Sequence, residues 1–327
     1  MPEVVVVTGA SAGVGRAVAR TFARHGADVA LLARSHDALE GTRRDVEAEG
    51  GRPLVLPTDV ADWDQVNAAA QATEEAFGPI DVWVNNAMTT VFARFGDIEA
   101  DEFRRATEVT YLGSVWGLKA ALGRMVPRDR GTIVQVGSAL GYQGIPLQAP
   151  YCGAKHGVQG VFETLRCELR ADGSNVHLAI VQLPGLNTPQ FDHCRSKMTR
   201  KPQPVAPIYQ PEIAAEAIYW AAHHRRPELW VGLPTVYTIW GRRLAPWIAE
   251  RYLAKTAIEG QQTDEPEDPN RPDNLFEPVA GDPGAHGRFD ERAHARSPQA
   301  WLARNRGPIG AALATGAALA AAALTRR

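Results

Sequence analysis

Tyr151 and Lys155 stand four residues apart in Tyr-Cys-Gly-Ala-Lys, ahead of a run to Arg170 with helical spacing. On a helix that interval puts both side chains on one face. A free tyrosine titrates at about pH 10 and moves protons poorly at neutral pH, whereas a neighbouring ammonium favours the phenolate. The pair therefore reads as an acid/base whose titration a lysine tunes. Thirteen residues before Tyr151, Ser138 closes the apolar run Thr132 to Gly137, so its hydroxyl can hold a carbonyl or alcohol oxygen. Cys152 lies beside Tyr151, but adjacent helical residues point about 100° apart, which sets its thiol aside.

A second constellation lies at the N-terminus. Val4 to Val7 runs into Thr8-Gly9-Ala10-Ser11-Ala12-Gly13-Val14-Gly15, and a helical pattern follows. Strand, glycine turn and helix is the arrangement that brings a backbone close to a pyrophosphate and aims free N–H groups and a helix dipole at it. Thr8, Gly9, Ser11, Ala12, Gly13, Val14 and Gly15 are the expected contacts. Positive charge on an oxidised nicotinamide would add to the effect of Lys155 on the phenol. At the end of the second apolar run an NAD-preferring fold presents an acid; here Arg34 and Ser35 stand, with Arg16 nearby. A guanidinium and a hydroxyl suit a 2′-phosphate, so NADP(H) is favoured over NAD(H).

These groups need a frame that carries them to one crevice. Seven short β-branched or Leu-rich runs (Val4 to Val7, Asp28 to Ala33, Leu54 to Pro57, Asp81 to Val84, Thr132 to Gly137, Val176 to Gln182, Leu229 to Gly232) alternate with helical patterns such as Val14 to His25 and Asp64 to Phe77. That alternation predicts an α/β, doubly wound parallel sheet. Ligands in such sheets bind at the carboxyl ends of the strands, where the glycine loop and Ser138 both fall.

Composition excludes other classes. The 327 residues are 45% hydrophobic, enough for a sizeable core, and carry 35 Lys plus Arg against 37 Asp plus Glu, which leaves no basic excess for nucleic acid. Three cysteines are too few for a disulfide framework, and no His or Cys spacing suggests a metal site. With no secretory pattern before Val4, a cytoplasmic protein is expected.

Taken together, Thr8-Gly9 with Gly13 and Gly15, Asp59-Val60, Asn85-Asn86-Ala87, Ser138, Tyr151-Lys155 and Pro184-Gly185 with Thr188 resemble the short-chain dehydrogenase/reductase family over roughly residues 3 to 240. The resemblance implies a Rossmann-like seven-stranded sheet of order 3-2-1-4-5-6-7, hydride transfer between NAD(P) and a carbonyl or alcohol carbon, and homodimers or homotetramers. It implies Asp59 and Val60 near the adenine, Asn86 and Ala87 beside the cofactor, and Pro184, Gly185 and Thr188 near the nicotinamide. Tyr151 would be the acid/base, with Lys155 on the nicotinamide ribose. Met88 replaces the family's usual Gly, Thr110 stands where an Asn commonly supports a water relay, and Thr188 follows Pro184-Gly185 one residue sooner than usual. Met88 and Thr110 favour the alternative of a cofactor-binding sensor or scaffold with little turnover; an epimerase or dehydratase lacks a sugar-nucleotide domain.

Three segments are expected: a catalytic domain with its substrate lid over 1–255, a Pro, Gly and acid-rich arm or linker over 256–297, and an Ala-rich apolar helix over 298–327. The uncharged run 309–324 would form about 24 Å of helix, short of the roughly 30 Å core of a bilayer, so it reads as a membrane contact or an oligomer contact. Trp220, Trp230, Trp240 and Trp247, with Arg251, Tyr252 and Lys255, read as core and subunit contact, a membrane interface or the cap of an apolar pocket. The lid's apolar residues, including Phe191, Met198, Ile208 and Tyr209, suggest a hydrophobic substrate.

Overall fold

The computed structural model of the chain describes residues 1–305. The uncharged run 309–324 lies outside them. Seven parallel strands form the central sheet: β1 Val4–Thr8, β2 Asp28–Ala33, β3 Arg52–Pro57, β4 Val82–Asn85, β5 Thr132–Ser138, β6 His177–Leu183 and β7 Glu228–Trp230. Their spatial order is β3-β2-β1-β4-β5-β6-β7. All pairings are parallel, which requires a crossover between neighbours. Buried on both faces, β1, β2 and β4 are apolar nearly throughout rather than alternating.

Helices α1 Gly13–Arg24, α2 His36–Ala48, α3 Trp63–Phe77, α4 Ala100–Thr107, α5 Gly113–Met125, α6 Ala149–Ala171 and α7 Pro211–His223 supply the crossovers. They divide the core into two layers. One is built around Val5, Val7, Phe22, Leu31 and α7, and the other around Val6, Trp83, Leu118, Phe162 and Leu178. Alternate residues of β1 thus serve opposite faces of the sheet. Between α4 and α5 the chain widens into a π-turn over Glu108–Leu112, a bulge often found at functional sites.

Beyond β7, α8 Leu233–Leu244 and α9 Pro246–Gly260 form a hairpin joined by Ala245 alone. The expected arm then folds back onto the domain. Gln262–Pro266 pairs antiparallel with Arg200–Pro202, and Ala293–His294 pairs parallel with Ile208–Tyr209. Helix α10, Pro298–Arg304, is capped by Ser297 and buries Ala300 and Ala303. No helix among the described residues is long and apolar enough to cross a membrane.

Candidate active site

The glycine loop is locked to the loop after β4. The Thr8 hydroxyl accepts from the Asn86 and Ala87 N–H groups at 2.9 and 3.1 Å, and the Asn86 amide donates to the Thr8 and Gly9 carbonyls at 3.0 and 3.1 Å. Gly9 and Gly13 adopt φ of +65° and +54°, and a Cβ on Gly15 would collide with the Gly9 carbonyl oxygen. Only glycine lets α1 start this close to β1. Ala12 precedes the helix with no side-chain cap, so first-turn N–H groups remain to meet an anion. Ser11, Ala12, Gly13 and Val14 line a cavity of about 710 Å³. A cradle shaped by the absence of side chains and edged by N–H donors fits a dinucleotide.

Ser138, Tyr151 and Lys155 line the same cavity from the opposite side. Ser138 ends β5, and its Oγ accepts from Leu140 N–H at 3.1 Å. Helix α6 opens with Ala149-Pro150, a suitable start because proline lacks the N–H a helix terminus leaves unpaired, and this puts Tyr151 in its first turn. One turn on, Lys155 is only 3% exposed and donates from Nζ to the Val136 carbonyl at 2.7 Å. That nitrogen sits 5.5 Å from the Tyr151 ring centroid. Burial pushes the Tyr151 phenol up to about 12, opposed by a hydrogen bond with Ser138, and pushes Lys155 down to about 8. In the protein alone desolvation dominates the titration of the phenol, and Tyr151 keeps its proton at neutral pH.

Pro184, Gly185 and Thr188, following β6, form the facing rim, and the Thr188 side chain lies 3.2 Å from where a Cβ on Gly13 would stand. Thr110 is fully buried, and its hydroxyl donates to the Thr89 carbonyl at 2.8 Å and accepts from the Thr89 N–H at 3.0 Å. Its capacity goes into pinning the loop after β4 rather than into a relay. Cys152 is buried and its thiol is pushed up to about 11, so it stays protonated at neutral pH.

The residues expected on the adenosine side are held by partners of the protein itself. Arg34 donates to the carbonyls of Asn274, Leu275 and Phe276, all from the arm. The Ser35 hydroxyl caps α2, accepting from Ala38 N–H at 3.3 Å. Arg16 is paired with Asp45 at 2.8 Å and with Asp282 of the arm. Asp59 pairs with Arg105 at 2.5 Å, and Val60 packs against Gly113 at the start of α5. Gly13 N–H donates to the Gly284 carbonyl at 3.1 Å. The segment read as an arm or linker thus packs over the residues expected on the adenosine side, anchored by fully buried Leu275 and by Asn187, which accepts from Phe289 N–H at 3.0 Å. Burial, then the like charge of Arg105, holds the Arg34 guanidinium below its ordinary titration point. The arm's acceptors for its hydrogen bonds are neutral carbonyls, with the charge of Glu277 acting from farther off.

Sequence reading missed Arg105 and the arm's bonds to Arg34. Arg105 carries no motif, and the arm binds Arg34 through backbone atoms, which side-chain type does not encode. It also missed Gln148, just ahead of Tyr151, which donates to Gln261 at 2.7 Å and ties the start of α6 to the end of α9. Among the described residues no group of three His, Cys, Asp or Glu side chains could hold a metal ion.

A short chain dehydrogenase family profile matches residues 3–199, more than half the chain. The chain belongs to the short-chain dehydrogenase/reductase family. The uncharacterized oxidoreductase YxnA of Bacillus subtilis is 30% identical to this dehydrogenase/reductase over 99% of this chain and 91% of its own. The 3-dehydrosphinganine reductase of Danio rerio is 32% identical over 65% of this chain and 66% of its own. An alcohol dehydrogenase from the archaeon Thermococcus sibiricus, solved in complex with 5-hydroxy-NADP, superposes with a TM-score of 0.62 at 28% identity, covering 72% of this chain and 98% of that one. This dehydrogenase/reductase is therefore an oxidoreductase with a nicotinamide-binding Rossmann-like fold.

Proposed function

We propose that this dehydrogenase/reductase is an NADP(H)-dependent reductase of apolar carbonyl compounds. The observation that carries the reading is the meeting of Ser138, Tyr151 and Lys155 across one cavity from the glycine loop. When bound, the nicotinamide supplies the hydride in reduction. The loop from Gly9 to Gly15 would hold the pyrophosphate, Asn86, Ala87 and Thr188 the nicotinamide side, and Lys155 the ribose. Ser138 holds the substrate oxygen, and the Tyr151 phenol donates its proton to that oxygen as negative charge develops there. A phenol kept protonated by burial is already in the state reduction uses, which favours that direction.

Preference for NADP(H) is supported by two guanidinium groups, Arg34 and Arg105, brought together at the end of β2, where Asp59 pairs with Arg105 and Arg34 hydrogen-bonds to backbone carbonyls. A dianionic phosphate is a better hydrogen-bond partner for the Arg34 guanidinium than the arm's carbonyls. The cavity wall beyond Tyr151, from Ile145 and Leu253 to Tyr237 and Ile248, favours an apolar substrate. The relatives named as a 3-dehydrosphinganine reductase and an alcohol dehydrogenase agree with a carbonyl or alcohol carbon as the reacting centre. Oxidation of NADPH followed against a panel of ketones, aldehydes and quinones tests the proposal. Turnover is expected with apolar ketones or aldehydes, and no turnover across the panel rejects the reductase.

Lys155 gives this reading a pH signature. Burial brings its titration down to about 8, so its charge is complete below that point and is lost as pH rises through it. The kcat/KM for reduction is expected to hold a plateau on the acid side and to fall above about pH 8. Lys155→Met is expected to show a lower plateau without that fall. A wild-type profile flat to about pH 10 would remove the charged lysine from the scheme.

A further inference from the structure

Half of the large apolar side chains exposed among the described residues lie on the α8–α9 hairpin. Leu233, Tyr237, Trp240 and Leu244 recur at helical spacing along one side of α8, and Trp247, Ile248 and Tyr252 continue the patch on α9. Their exposures run from 47% to 76%, highest at Leu244 beside the turn. In an ordinary surface helix such a stripe faces the core. Here α8 buries only Thr235 and Ile239, and α9 only Ala257. A contiguous apolar patch turned to solvent marks a contact surface.

Two observations identify what it contacts. First, Tyr237, Ile248 and Tyr252 belong both to this patch and to the wall of the cavity that holds Tyr151, so the apolar surface runs from the outside to the reacting phenol without interruption. A protein seated on the patch would cover the cavity mouth. A lipid layer would instead place apolar molecules at it. Second, residues 233–260 carry four cations, Arg242, Arg243, Arg251 and Lys255, against two carboxylates, Glu250 and Glu259, in a chain of net charge −2. Arg243 stacks over the rings of Tyr142, Trp230 and Trp240 at 5.4 to 5.8 Å, and Arg251 lies 6.0 Å from the Trp247 ring centre. Aromatic rings bordered by guanidinium groups suit the boundary between acyl chains and anionic headgroups.

We infer that the α8–α9 hairpin docks on an anionic lipid surface, with Leu244 and Trp247 entering the acyl boundary, so that an apolar carbonyl substrate passes from the bilayer into the cavity. The cargo rests on the reductase reading above; the surface contact does not. The test is co-sedimentation of the full chain with vesicles of phosphatidylcholine, with and without phosphatidylglycerol. It is repeated for Leu244→Ser/Trp247→Ser, whose two positions lie outside the cavity wall, and for Tyr151→Phe.

The wild type and Tyr151→Phe are expected to sediment with the anionic vesicles, more weakly as salt rises. The double variant is expected to lose at least about tenfold in vesicle affinity, given the transfer energy of two large apolar side chains. It is also expected to reduce a small soluble ketone as the wild type does. Failure of the wild type to bind, or equal binding by the double variant, overturns the inference; equal binding would place the contact elsewhere, such as the run 309–324. A wild-type dimer that the double variant breaks into monomers, with no vesicle binding, would make the patch a subunit contact and overturn it as well. Vesicle binding with no turnover on any substrate would sink the reductase and leave the docking face standing.

Discussion

Tyr151→Phe is expected to lower kcat/KM for carbonyl reduction by about 10²- to 10⁴-fold, the range spanned by removal of a positioned general acid. NADPH affinity stays near the wild-type value, because the ring remains and the Lys155 ammonium keeps its bond to the Val136 carbonyl. The loss falls on the proton transfer. With the phenol pushed up to about 12 by burial, Tyr151 is a proton donor across the working range, and a phenylalanine in its place offers no proton to an alkoxide forming at that site. Steady-state kinetics on a competent substrate, with NADPH titrated separately by fluorescence, separates chemistry from binding. Retention of most turnover by the variant would remove Tyr151 from the mechanism.

The second large effect is expected at Arg34. Arg34→Asp raises the NADPH dissociation constant about 10- to 100-fold, the loss of charge-assisted hydrogen bonds worth roughly 1.5–3 kcal/mol, and leaves NADH binding unchanged or improved. In the protein alone the guanidinium is held by carbonyls of Asn274, Leu275 and Phe276. A 2′-phosphate competes with those neutral acceptors through its charge, whereas the ribose hydroxyl of NADH carries none. The arm therefore sharpens the choice between the two cofactors. An unchanged NADPH/NADH preference, in a folded variant whose melting temperature falls, would assign Arg34 to holding the arm alone.

How far the site could be read in advance follows from the distance over which each contact acts. Tyr151 and Lys155 meet within one helical turn, and Gly9, Gly13 and Gly15 shape a single turn between β1 and α1. Local spacing encodes both. Ser138 comes from a separate element, yet the rule that parallel strands present their carboxyl ends to one crevice brings it beside Tyr151. Arg34 was legible as a cation at the end of β2, but its partner was not: Phe276 is 242 residues away and binds through its carbonyl oxygen. Likewise the phenol's titration depends on how the Tyr151 side chain is desolvated at the start of α6, which raises it instead of lowering it.

The sequence by itself determined the seven strands, the order in which glycine loop, serine, tyrosine and lysine arrive, and the chemistry those side chains can perform. These rest on periodicity and on short-range sterics, which a linear string records directly. Only the tertiary structure decided that the Pro- and Gly-rich segment after α9 returns to pack on Arg34 and the glycine loop. It likewise decided that the tryptophan-bearing stretch divides, with Trp240 and Trp247 turned outward on a hairpin beside the cavity mouth. Both outcomes depend on bonds and packing between segments far apart in the chain: the apolar residues of α8 show helical periodicity, but periodicity does not say whether that face meets the core or the solvent.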